Sequence, residues 1–342
     1  MKQKMLPFHE KLDPPNPSPP GMPRLKNIAS LSPGAYGGSM HSPATTNRPA
    51  ARAGNLPISR RAMLRLATAT TALLAAHPLA PLFAAPAKRR FKIGACDWSI
   101  GRMGDPGAFK VAREIGLDGV QISLGTAADD MRLRQTEVQK TFREAAAAEK
   151  VAIASLAIGE LNQFPYKSDP RTVDWVSGAI DVCAALGLKV ILLAFFGNGD
   201  LRGDKPGTDE VVRRLKAVAP KAKKAGVALG IESWLSAAEN IEILDRVGSP
   251  AVKVYYDVCN STDRGYDIHS EIRLLGKRIC EVHAKENGSL LGKGKVDFAK
   301  VRESLDAIHY SGWVQIEGAV PPGAGMVESY RTNCTFLRGI LS

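Results

Sequence analysis

Four side chains able to bind a metal each close a short apolar run in the C-terminal half of the chain. Glu232 ends Gly230-Ile231-Glu232, Asp257 ends Tyr255-Tyr256-Asp257, His283 ends Glu281-Val282-His283 and Glu317 ends Gln315-Ile316-Glu317. Taken singly, a carboxylate in such a place caps a loop, and a lone histidine is an ordinary hydrogen-bonded polar group. Four in succession at equivalent points carry more weight. If the runs are neighbouring strands, the side chains converge, and they could not stay ionised together without a cation. Three hard carboxylates and one imidazole suit one divalent ion: Mn²⁺, Mg²⁺, Co²⁺ or Zn²⁺. Beyond residue 87 only two other histidines occur, His269 and His309, and both fall in helical patterns.

The elements that must position these groups are legible from Phe91 onward. Eight apolar runs alternate with segments of helical period: 92–96, 119–123, 152–157, 189–195, 228–232, 253–257, 279–283 and 313–317. Apolar runs without polar alternation suit strands buried on both faces of a parallel sheet. Between them, Val173, Val176, Ile180 and Cys183 recur at helical spacing, as do Phe298, Val301, Leu305 and Ile308. Asp169 and Thr208 stand where helix N-caps are expected, Gly116, Gly187, Gly226 and Gly312 where left-handed C-caps are, and Pro220 is expected to break or kink its helix. Strict strand–helix alternation implies right-handed crossovers, and eight units predict an α/β fold, a single closed (β/α)8 TIM barrel. No Gly-x-Gly-x-x-Gly follows the first run, which argues against a dinucleotide-binding sheet.

The barrel is assigned to residues 88–342. Residues 1–57, rich in proline and without apolar period, read as a disordered leader. Residues 58–87 read as a twin-arginine signal peptide: Arg60-Arg61, an uncharged run to Ala76, then Ala85-Pro86-Ala87. Export to the periplasm or beyond is the expectation, and the apolar run is too short for a stable membrane span. Residues 1–87 hold 10 of the 46 basic and 2 of the 34 acidic residues, leaving 36 and 32, so the net charge of +12 falls to +4. The basic balance is therefore no evidence for a nucleic-acid partner. The five cysteines, Cys96, Cys183, Cys259, Cys280 and Cys334, are odd in number and form no Cys-x-x-Cys pair. They are expected to be buried small apolar groups, not a disulfide set or a zinc cage. A homo-oligomer is compatible with all of these features.

Over residues 91–342 the chain resembles the xylose-isomerase-like TIM barrels, which include sugar-phosphate isomerases and ketose 3-epimerases. The resemblance rests on Gly230-Ile231-Glu232, Asp257-Val258-Cys259-Asn260, His283-Ala284-Lys285-Glu286, the stretch Gly292-Lys293-Gly294-Lys295-Val296-Asp297, and Gln315-Ile316-Glu317-Gly318. It implies that Glu232, Asp257, His283 and Glu317 bind one metal, with Glu232 and Glu317 also exchanging the substrate proton through an enediolate. Asn260 stands where many relatives carry a substrate-touching histidine, and it can hydrogen-bond a hydroxyl without titrating near neutrality. Lys285 resembles the dehydratase-like and isomerase-like branches more, and could hold an oxyanion or sit in a solvated loop. The extra histidines of the endonuclease IV-type relatives are missing. Trp98, Glu160 and Trp234 complete the candidate substrate-binding set, the two tryptophans as walls for the C–H faces of a sugar.

Three functions follow. The first is a metal-dependent sugar isomerase or epimerase. The second is a lyase on the same scaffold, a dehydratase or an eliminase of 3-keto-glycosides. The third is a non-catalytic sugar-binding barrel, against which the two glutamates among the ligands argue.

Overall fold

The structure, a computed structural model, describes residues 90–341. The assigned leader (1–57), signal peptide (58–87) and barrel start at 88 lie outside the described residues. Eight parallel strands close into a barrel in chain order: β1 Phe91–Cys96, β2 Gly119–Ser123, β3 Ala152–Ile158, β4 Val190–Phe195, β5 Ala228–Ser233, β6 Val252–Asp257, β7 Ile279–Glu286 and β8 Gly312–Gly318. β8 closes onto β1 from Phe91 beside Gly312 to Ala95 beside Ile316. All eight expected strands are present. Their runs lack alternation because the sheet is covered twice, by helices outside and by its own side chains inside.

The helices that follow the strands are α1 Ala108–Ile115, α2 Thr136–Glu149, α3 Arg171–Leu186, α4 Lys205–Ala225, α5 Ala237–Val247, the pair α6 Val258–Asp263 and α7 Ile268–Leu275, α8 Phe298–Ala307 and α9 Met326–Leu341. Each of the longer ones buries one face: α3 inserts Val176, Ala179, Ile180 and Cys183, and α8 inserts Phe298, Val301 and Leu305. Gly116, Gly187 and Gly226 do hold left-handed C-cap conformations. Gly312 does not: it opens β8, and the left-handed residue behind α8 is His309, just past the helix. α4 starts earlier than Thr208 suggests, because the Asp204 carboxylate accepts from the Gly207 amide and caps it. It also runs through Pro220 unbroken. Asp169 does serve the start of α3, accepting from the Arg171 amide at 3.0 Å.

All five cysteines are free thiols, four buried and Cys280 half-buried. Among the described residues no helix is long and apolar enough to cross a membrane.

Candidate metal centre

Residues two apart on a strand share a face, so β7 lines the barrel interior with Glu281, His283 and Lys285 in succession. The sheet register sets Asp257 beside His283, and Lys285 beside Glu317. Glu232 follows from the far end of β5. One ligand atom from each of Glu232, Asp257, His283 and Glu317 falls within 4.8 Å of every other. The His283 Nδ1 lies 2.8 Å from Glu232 Oε1, 3.4 Å from Glu317 Oε2 and 3.8 Å from Asp257 Oδ2.

Each carboxylate is held differently. Asp257 Oδ1 accepts from the amides of Cys259 and Asn260, both at 2.8 Å, and so caps α6. Its Oδ2 is buried, faces the cluster and has no hydrogen-bond partner. A buried carboxylate oxygen left without a hydrogen bond costs free energy that a cation would recover. Glu317 is tied at both oxygens, to Trp98 Nε1 at 2.9 Å and to Lys285 Nζ at 3.0 Å. Glu232 bonds His283 through Oε1, while its Oε2 takes no hydrogen bond among the described residues.

The electrostatics agree with this arrangement. Burial raises the Asp257 carboxyl, and Glu317 and Glu232 add to that against Lys285 and His283, leaving it pushed up to about 7. Burial would also raise Glu317, but Lys285, His283 and the Trp98 bond outweigh it and hold it at about 2. The difference follows from distance, since Lys285 Nζ is 3.0 Å from Glu317 and 3.7 Å from Asp257. Burial opposes charge on His283, yet Cys96, Glu232 and Glu317 lift its pKa well above the ordinary value. Burial likewise opposes charge on Lys285, and Glu317, Asp257 and Glu232 reverse it. With the imidazole neutral, three carboxylates against one ammonium leave two negative charges, which a divalent ion neutralises. The donor set and the orphaned oxygen both fit such an ion.

The other candidate residues divide. Lys285 is no solvated loop lysine: β7 runs three residues past His283 and carries it into the cluster. Trp98 reaches the site by donating to Glu317, and its ring stands edge-on to His283, with centroids 6.2 Å apart. Asn260 is half-buried on α6, with a side chain that makes no hydrogen bond among the described residues. Trp234 follows β5, its ring covered by the guanidiniums of Arg202 at 4.8 Å and Arg264 at 4.4 Å, with Phe196 5.2 Å away. Glu160 bonds the Ala127 amide on the loop after β2, and no contact ties it to the four ligands.

Two residues were not singled out from the sequence. Buried Glu281 lies below the cluster and accepts from Ser155, Tyr255 and Gln315. Glu286, also buried, accepts from the amides of Lys295 and Val296 and pins the loop after β7. A Cβ at Gly294 would collide with that carboxylate. Gly294→Ala is therefore expected to lower stability by about 1–3 kcal/mol, read by chemical denaturation. An unchanged midpoint would mean that the loop yields at no cost.

A closed eight-stranded barrel with three carboxylates, an imidazole and an ammonium at the C-terminal ends of its last four strands defines an enzyme-type barrel. The chain belongs to the xylose isomerase-like TIM barrel family, whose model matches residues 109–339. It is 24% identical over 230 residues to the 2-epi-5-epi-valiolone 7-phosphate 2-epimerase of Actinoplanes, covering 64% of this chain and 83% of that one. It is 26% identical over 212 residues to the L-ribulose 3-epimerase of Mesorhizobium japonicum, covering 58% and 70%. The fold is similar to that of the Escherichia coli 3-keto-D-glucoside 4-epimerase, with a TM-score of 0.61 and 17% identity over 73% of this chain and 99% of that one.

Proposed function

We propose that this chain is a divalent-metal-dependent sugar epimerase or isomerase acting by proton transfer next to a carbonyl. The convergence of the Glu232 and Glu317 carboxylates with the Asp257 oxygen that lacks a hydrogen bond and with His283 Nδ1 carries the reading. Relatives named as epimerases support it. Glu232, Asp257, His283 and Glu317 would hold the ion, which when bound supplies Lewis-acid stabilisation of negative charge on a carbonyl oxygen.

The rest is work for side chains. Glu232, with one oxygen free of hydrogen bonds, is the readier proton acceptor. Glu317 serves the opposite face. In one direction Glu232 removes the proton and a protonated Glu317 returns one to the planar intermediate; in the other, ionised Glu317 removes it once Lys285 turns its ammonium to the substrate oxygen, and a protonated Glu232 returns one. Trp98 holds Glu317 in place throughout. Asn260 is assigned to the substrate hydroxyls, whereas Trp234, whose ring already carries two guanidiniums, is not assigned to a sugar C–H face.

The lyase reading uses the same residues, and Lys285 favours keeping it in view, since an ammonium beside a carboxylate can assist a departing oxygen. We further propose export by the twin-arginine route, which makes free sugars or glycosides the substrate class over phosphate esters. The test is to incubate the manganese-loaded protein in D₂O with ketoses and 3-keto-glycosides and follow both by NMR. Deuterium at the carbon beside the carbonyl, with an inverted or isomerised product, is the expected result. Elimination products alone would replace the epimerase reading with the lyase, and no exchange from any substrate would overturn both.

A further inference from the structure

Beneath the cluster a chain of buried hydrogen bonds runs down the barrel axis. His283 Nε2 lies 3.1 Å from Gln121 Oε1. Gln121 Nε2 donates to Ser155 Oγ at 3.0 Å and to Tyr255 Oη at 3.1 Å. Both hydroxyls then donate to the same oxygen, Glu281 Oε1, at 2.7 and 3.1 Å, where Gln315 Nε2 also donates at 2.8 Å. Gln121, Ser155, Glu281, His283 and Gln315 are all buried, and so is Tyr255. Among the described residues, the sheet register shifts at two places, between Val120 and Gln121 and between Val254 and Tyr255. Such irregularities re-aim side chains, and here they fall on two members of the chain.

The direction of each bond is forced from the bottom upward. With Glu281 ionised, its Oε1 can only accept, so the hydroxyl protons of Ser155 and Tyr255 are used there. Each hydroxyl oxygen is then left as an acceptor and requires an N–H from Gln121. With both amide hydrogens committed, Gln121 can show His283 nothing but its carbonyl oxygen. His283 Nε2 must therefore carry a proton, and in the neutral ring the lone pair sits on Nδ1, facing Glu232, Asp257 and Glu317. The Cys96 sulfur lies 3.3 Å from both Gln121 Oε1 and His283 Nε2; its thiol donates to the carbonyl while the sulfur can accept from Nε2–H, which leaves the proton on Nε2.

We infer that Gln121 is a positioning residue, which fixes the Nδ1-ligating tautomer of His283, and that Glu281 sets its orientation through Ser155 and Tyr255. This rests on the proposed metal role of His283. Metal-ligating histidines usually donate their other N–H to such a partner, and its loss weakens metal binding about 10–100-fold. An amide anchored to a buried carboxylate replaces the direct carboxylate or backbone acceptor.

The test uses zinc, which is diamagnetic, with the full chain labelled with ¹⁵N-histidine and the His283 signals assigned against His283→Asn. Long-range ¹H–¹⁵N spectra of the zinc-loaded parent are expected to show Nε2 protonated and Nδ1 metal-bound. Gln121→Met, similar in length but without acceptor or donors, should weaken zinc binding about 10–100-fold and lose the single Nε2–H pattern. The Ser155→Ala/Tyr255→Phe pair keeps Gln121 but removes both acceptors for its amide. It should show the same spectral change, and it carries the test should Gln121→Met fail to fold. Unchanged zinc affinity and Nε2–H pattern in the variants, with the parent binding one ion, would overturn the relay and leave the metal centre standing. A parent that binds no zinc would overturn both.

Discussion

Glu232→Gln and Glu317→Gln are each expected to slow interconversion of the two substrate epimers by about 10²–10⁴-fold, the usual contribution of a positioned acid or base. Glutamine keeps the length and one carbonyl oxygen, so Glu317→Gln can still accept from Trp98 or Lys285. What it loses is basicity. In a two-carboxylate mechanism each glutamate serves one face of the planar intermediate, and this separates two readouts. A variant lacking one base can still remove a proton with the other and return it to the same face. Each variant should therefore exchange solvent deuterium into one epimer alone, and the epimer should differ between the two. A single base serving both faces predicts another pattern: one variant loses exchange in both epimers, and the other loses it in neither. Substrate affinity should change far less than turnover in either case.

The parts of this protein legible in its sequence are those where one physical rule acts alone. Burial on both faces removes polar residues from barrel strands, so β2, β5 and β6 stand out as apolar runs within a residue of their true ends. Where an apolar run stops at Asp, Glu or His, a site is signalled, and the structure gathers the four such groups. β7 escaped that logic in two ways. It continues past His283 to Glu286, because Lys285 and Glu286 are polar residues with partners of their own, Glu317 and the 295–296 amides. Glu281, earlier on the same strand, stands inside a run read as apolar and carries no local signal of its own. Its partners Ser155, Tyr255 and Gln315 come from three other strands, and no local spacing records such a meeting. The same holds for Trp98, whose bond to Glu317 spans 219 residues of sequence. Helix caps failed where a better side chain was near, as with Asp204 ahead of Thr208.

Metal affinity is expected to rise steeply with pH, and the steepness should itself change near neutrality. The cation needs His283 Nδ1 as a lone pair and Asp257 ionised. Both groups hold protons more tightly than usual in the metal-free cluster: burial, with Glu317 and Glu232, pushes Asp257 to about 7, while Cys96, Glu232 and Glu317 overcome burial to raise His283 well above its ordinary value. Binding must displace those protons, so each one lowers Kd about tenfold per pH unit wherever it is still bound. Below about pH 7 both are displaced, and Kd should fall by roughly a hundredfold per unit. Above that, Asp257 is already ionised and only the His283 proton remains, so the slope should halve on a logarithmic scale. Glu317, held at about 2 by Lys285 and His283 against burial, contributes nothing across this range. Lys285→Met sharpens the test. Without the ammonium 3.7 Å away, Asp257 should hold its proton to higher pH, carrying the steeper limb upward. At alkaline pH the same variant should bind the ion more tightly, because a competing positive charge is gone. Competition titrations with Mn²⁺ at several pH values read all of this, and a Kd that ignores pH would mean that these side chains do not hold the ion.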